Sequence, residues 1–77
     1  MEETMTKLFR TLSAHDRHNE NTTWTLYDPY DDRYITATYS HYHGAYDATV
    51  TELDENDNEI TKTALLTDAD LNDAEIR

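Results

Sequence analysis

Apolar residues recur in two rhythms along this chain, and the change between them falls near residue 21. Met5, Leu8, Phe9 and Leu12 stand at i, i+3, i+4 and i+7, the spacing that lines one face of a 3.6-residue helix. It predicts an amphipathic helix over residues 3–14. Residues 15–21 are wholly polar, and the pattern then turns to alternation rich in threonine and aromatic side chains, which suits a pleated strand. Strands are expected over residues 22–27, 33–40, 46–53 and 59–65. Trp24 and Leu26, then Ile35, Ala37 and Tyr39, then Tyr46, Ala48 and Val50 would share the inward face, leaving threonines and tyrosines outside. Lys62 breaks the pattern between Ile60 and Ala64, which suggests an edge strand or a bulge.

The breaks between strands carry turn chemistry. Asp28-Pro29-Tyr30-Asp31-Asp32 offers a proline with fixed φ and aspartates that bond nearby backbone N–H groups. Residues 41–45 hold the only glycine, and Asp54-Glu55-Asn56-Asp57-Asn58 is a third polar turn. Thr67 followed by Asp68 and Asp70 resembles a capped helix start and predicts a short helix over residues 68–76. The expected fold is α+β in one domain, residues 1–77: an N-terminal amphipathic helix packed on a four-stranded antiparallel meander, with a short C-terminal helix. Its outer sheet face, mostly Thr and Tyr, would stay wet or meet a second subunit or partner.

Length and charge then narrow the function. Seventy-seven residues give a thin core, for which association into a homodimer would supply missing burial. The chain has no cysteine, which excludes thiol catalysis and cysteine-bound zinc and fits a reducing cytoplasm. An acidic start and short apolar runs give no expectation of a signal peptide or a membrane span. Seventeen acids against six bases leave a net charge of -11. Phosphate backbones and anionic lipid would repel such a chain, so no nucleic acid or membrane is expected, and an electrostatic partner should be basic.

Catalytic and metal motifs are weak. His41-x-His43 puts two imidazoles on one side of an extended segment, with His15 and His18 elsewhere as completing ligands for zinc. The plainer reading is a solvated loop, and no metal or cofactor is expected. Asp54, Asn56 and Asn58 begin like a calcium loop, but Glu59 stands where its glycine should be and Leu65 where its glutamate should be. No triad, phosphate loop or His-Glu-x-x-His motif is present, and a non-enzyme is expected.

The charge itself is uneven. Residues 1–43 hold seven acids and four bases, and residues 44–77 hold ten acids and two bases. Asp47, Glu52, Asp54, Glu55, Asp57 and Glu59 gather around the third hairpin, and Asp68, Asp70 and Asp73 on the final helix; together they are the candidate partner-binding residues. Carboxylates repeat every ~6.6 Å on alternate strand positions and every ~5.4 Å on helical turns, which resembles the spacing of phosphates along a nucleic-acid strand. The alternative is a solvated surface adapted to high salt, with which two lysines and 13 threonines are consistent. Salt adaptation, however, should spread acids over every exposed element.

With its strands at 22–27 and 47–53 and its acidic turns at 28–32 and 54–59, the chain resembles the small acidic DNA-mimic proteins of bacteriophages. These include inhibitors of uracil-DNA glycosylase, of restriction and CRISPR effectors, and of the nucleoid protein HU. Unlike the glycosylase inhibitors, it has no second N-terminal helix and no first-strand Glu-Ser-Ile motif, so the resemblance implies a class rather than a target. It implies a non-enzymatic inhibitor in the host cytoplasm that blocks a basic DNA-binding protein. An HU-like protein is the preferred target, met by a dimer whose joint acidic surface fills the DNA-binding saddle. The alternatives are an anti-CRISPR, anti-restriction or glycosylase inhibitor, or an interaction module working through the Thr/Tyr face.

Overall fold

The computed structural model describes residues 7–77. Its elements in chain order are β1 (Lys7–Leu8), a 3-10 turn (Phe9–Thr11), α1 (Ala14–Arg17), β2 (Thr23–Asp28), β3 (Arg33–Ser40), β4 (Ala45–Leu53), β5 (Glu59–Leu66), α2 (Asp68–Leu71) and β6 (Glu75–Ile76). The strands form one antiparallel sheet in the order β1-β6-β2-β3-β4-β5. The α+β fold expected from the sequence is therefore corrected: the described residues form six strands, not four, and among them no long N-terminal helix packs on the sheet.

The four long strands lie where alternation put them, and their inward residues make the core. Leu26, Ile35, Ala37, Tyr46, Ala48 and Val50 are all buried, with Trp24 and Tyr39 packed against them. In Lys62 the sequence signalled a real edge: β5 is the last strand of the sheet. Its register with β4 runs unbroken from Leu53↔Glu59 to Tyr46↔Leu66, so there is no bulge, and Lys62 stands opposite Val50.

The predicted helix over residues 3–14 fails for a definable reason, its first part, residues 3–6, lying outside the described residues. Phe9 is fully buried, meeting Trp24 and Tyr46 edge-on with ring centroids 5.9 and 5.4 Å apart. It reaches that place because Lys7–Leu8 pairs with Glu75–Ile76, and the Phe9 N–H donates to the Ala74 carbonyl at 2.8 Å. A lone helix of this length is marginal in water, and strand pairing with the chain's far end replaces it. Among the described residues the first α-helix is α1, where the Ser13 hydroxyl accepts from the Asp16 N–H.

The C-terminal helix is shorter than predicted for a similar reason. Its start is as expected: Thr67 and Asp70 cap each other reciprocally. It ends at Leu71 because Leu71 and Ala74 are both drawn into the core, after which β6 docks beside β2 through Leu26↔Ile76 and Tyr27↔Glu75.

One face of the sheet is covered by the 3-10 turn and the segments around it, and among the described residues no element lies over the other. On that open face Thr25, Thr36, Thr49 and Thr63 stand opposite one another across four strands. The row Thr23, Thr38, Asp47 and Leu65 lies to one side and the row Tyr27, Tyr34, Thr51 and Thr61 to the other.

Candidate functional site

In a meander, alternate turns share an end of the sheet, so the β2–β3 and β4–β5 turns lie side by side, roughly 10 Å apart at two strand spacings. Arg33 joins them. Its Nε is 3.0 Å from Asp28, one terminal nitrogen is 3.7 Å from Asp31, and the other is 3.6 Å from Glu52. Glu52 in turn lies 3.3 Å from the Lys62 ammonium. Two cations are thus bound inside an end that also holds Asp32, Asp54, Glu55, Asp57 and Glu59.

Each turn contains an aspartate in the left-handed region, Asp32 at φ 49° and Asp57 at φ 64°. Glycine adopts that conformation without strain, whereas a side chain there costs of order 1 kcal/mol. A carboxylate therefore occupies both positions where the backbone conformation favours glycine, and that of Asp32 accepts from the Tyr27 hydroxyl at 2.6 Å. Asp54 builds its turn by accepting from the N–H groups of Asn56 and Asn58 at 2.8 and 2.9 Å. Those bonds, led by the one from Asn58, hold its pKa below the ordinary carboxylate value. The calcium-like start of this segment is thus a closed hairpin turn. Between the two turns lies a shallow depression of about 180 Å³, lined by Asp32, Tyr34, Thr51, Glu52, Leu53 and Glu59. Carboxylates around a phenol ring suit a guanidinium or ammonium group.

The nine candidate acids do not form one surface. Glu52, Asp54, Glu55, Asp57 and Glu59 belong to this end. Asp47 is on the open face beyond it, 3.2 Å from His43. Asp73 pairs with Arg10 at 3.0 Å, and Asp70 accepts from the Thr67 N–H at 2.8 Å in the helix cap. Asp68 faces inward: it accepts from the Tyr46 hydroxyl at 2.6 Å and bonds His18 at 3.0 Å, with the Arg17 Nε 3.6 Å away. Burial raises its pKa, but the bonds from Tyr46 and His18 and the Arg17 charge outweigh it and hold the group below its ordinary value. Conversely, Asp28, Asp31 and Asp32, an acidic turn in the sequence but outside the nine candidates, belong to the acidic end, because meander topology sets their turn beside residues 54–58.

The four histidines lie away from that end. His18 stacks on Tyr39 with centroids 4.3 Å apart, and His41 meets the same ring edge-on at 5.0 Å. His15, His18 and His41 line an open groove with Glu20. Among the described residues no three His, Asp or Glu side chains converge in a way that would hold a metal ion, and no helix is long and apolar enough to cross a membrane. Compared with known protein families, characterised proteins and solved structures, the chain matches none.

Proposed function

We propose that the chain is a non-enzymatic, cytoplasmic inhibitor that presents the acidic end of its sheet to the basic DNA-binding surface of another protein, as a DNA mimic. The observation that carries this reading is the pair of left-handed aspartates, Asp32 and Asp57, in adjacent turns. Backbone strain favours glycine at both, so a carboxylate stands there against a local cost, offset at Asp32 by the bond it accepts from the Tyr27 hydroxyl at 2.6 Å. Two turns held roughly 10 Å apart by Arg33 offer carboxylates along a line, and the depression between them receives an arginine or lysine of the partner. An HU-like nucleoid protein, whose lysines and arginines displace DNA counterions, is the preferred target.

Gel-shift competition tests it directly. The protein should release DNA from HU at low ionic strength and lose that ability steeply as salt rises. Retention of DNA by HU at low salt, with the protein in excess, would remove HU as the target. Reversal of Asp54, Glu55 and Asp57 to lysine should abolish competition, and Glu55→Lys alone should weaken it far more than Asp16→Lys. Equal losses from the two single reversals would show that charge acts diffusely, and the mimicry reading would fall.

A further inference from the structure

The open face of the sheet is electrically unlike the rest of the molecule. Charged residues make up 30% of the chain, yet of the twelve positions in the three rows across β2 to β5 one, Asp47, is charged, with Glu75 and Arg77 beside Tyr27 at the β6 margin. Asp47 itself sits at the margin beside His43. A face shaped only by solvation or salt would carry acids in proportion. Leu65 and Tyr34 stand on it more than half exposed, and among the described residues no element covers them.

We infer that a second copy of this chain packs against this face, sheet on sheet, about a two-fold axis that sends the two acidic ends to opposite poles. Charge and hydrogen bonding favour that occupant, and size sets its strength. Four strands at ~4.8 Å and the six residues spanning the three rows at ~3.4 Å give a footprint of roughly 400 Å². That is about half the ~800 Å² per partner of a standard interface, which fits a weak dimer that forms as concentration rises. A net charge of -11 opposes self-association least across β2 to β5 of this face, where Asp47 is the one charged position of twelve. Packed sheets lie ~10 Å apart, about one Debye length at 0.1 M salt, so a parallel arrangement would hold two acidic ends within repelling distance. The antiparallel one separates them by the length of the strands. Threonine hydroxyls can be buried there because they pair laterally, as Thr23 and Thr38 do at 3.0 Å. Tyr34 and Thr51 belong both to this face and to the lining of the depression, so the dimer covers the depression's inner side and leaves Asp32 and Glu59 at its outer rim. The inference does not depend on what that end binds.

Sedimentation equilibrium with cysteine substitution tests it on the full chain, which has no cysteine of its own. The expected mass is twice 9.0 kDa, with dimerisation strengthening between 0.1 and 1 M salt as repulsion is screened, the opposite of the trend for partner binding. Thr36→Cys, near the axis, should form a disulfide-linked dimer on oxidation. Thr36→Asp with Thr49→Asp should weaken the dimer at least tenfold while the near-ultraviolet signal of Trp24 stays unchanged, because both positions are exposed. Monomers at millimolar concentration in 1 M salt would overturn the proposal. So would a dimer indifferent to the double aspartate variant, or one cross-linked by Lys62→Cys rather than Thr36→Cys, which would mean pairing along the β5 edge.

Discussion

The Tyr46 hydroxyl lies 2.6 Å from an Asp68 carboxylate oxygen, joining the centre of the sheet to the start of α2. Tyr46 is the largest fully buried side chain, so its polar tip needs a partner within the fold. Tyr46→Phe removes that donor and leaves Asp68 with His18 and Arg17. Urea unfolding should show a loss of about 1–2 kcal/mol, the range for a hydrogen bond to a charged, partly exposed group.

The same contact makes stability depend on pH in a definable window. The Asp68 and Asp54 pKa values are lowered in the fold. The stability they contribute is therefore present above the ordinary carboxylate value and is lost as pH falls through the lower folded values. Asp68→Asn should flatten this acid limb below about pH 4, measured as the urea midpoint against pH. At the alkaline end the Tyr46 pKa is raised, chiefly by burial and then by its bond to Asp68. Its contribution is complete below the ordinary phenol value and declines as pH rises beyond it. Ultraviolet titration should show a tyrosine that ionises above the ordinary phenol value and whose step disappears in Tyr46→Phe.

Asp57→Gly separates folding from binding. Relief of the left-handed strain should leave the protein as stable as before or up to about 1 kcal/mol more stable, while competition for the basic partner falls. A thermal unfolding series beside the gel shift reads both effects. Destabilisation by this substitution would show that the carboxylate serves the fold itself.

Gly44 supplies the opposite case. It has φ +63° with open space around its Cα, so Gly44→Ala meets no clash and only backbone strain remains. A loss of about 1 kcal/mol is expected, and Gly44→Asn should lose less because asparagine tolerates that region. Chemical denaturation of the three proteins checks the order.

Arg33→Met should destabilise the protein more at low salt than at high. Removing the guanidinium leaves Asp28, Asp31 and Glu52 facing one another, and added salt screens that repulsion. Equal losses at 0.05 and 1 M salt would indicate that Arg33 acts through packing of its stem.

What could be read in the sequence followed the reach of local rules. Alternation located β2 to β5 and the inward set from Leu26 to Val50, because side-chain parity is a property of the strand alone. Thr67 and Asp70 announced their cap. The stripe Met5, Leu8, Phe9 and Leu12 misled because burial at helical spacing is satisfied equally by a segment that dips into the core at Phe9 and again at Leu12. β1 and β6 have two residues each, too few for any periodicity, and exist only because the two ends of the chain meet. At the candidate site, the acids of residues 54–59 stood out as a run, whereas the kinship of Asp31 and Asp32 with them required knowing which turns share an end.

Arg33 also bears on how recognition by the acidic end would work. A guanidinium shared among Asp28, Asp31 and Glu52 fixes the two turns relative to each other before any partner arrives. The end is preorganised, so little conformational entropy remains to be lost on contact. Selectivity would then come from the distance between the turns, a fixed gauge that only a matching pair of cations can satisfy.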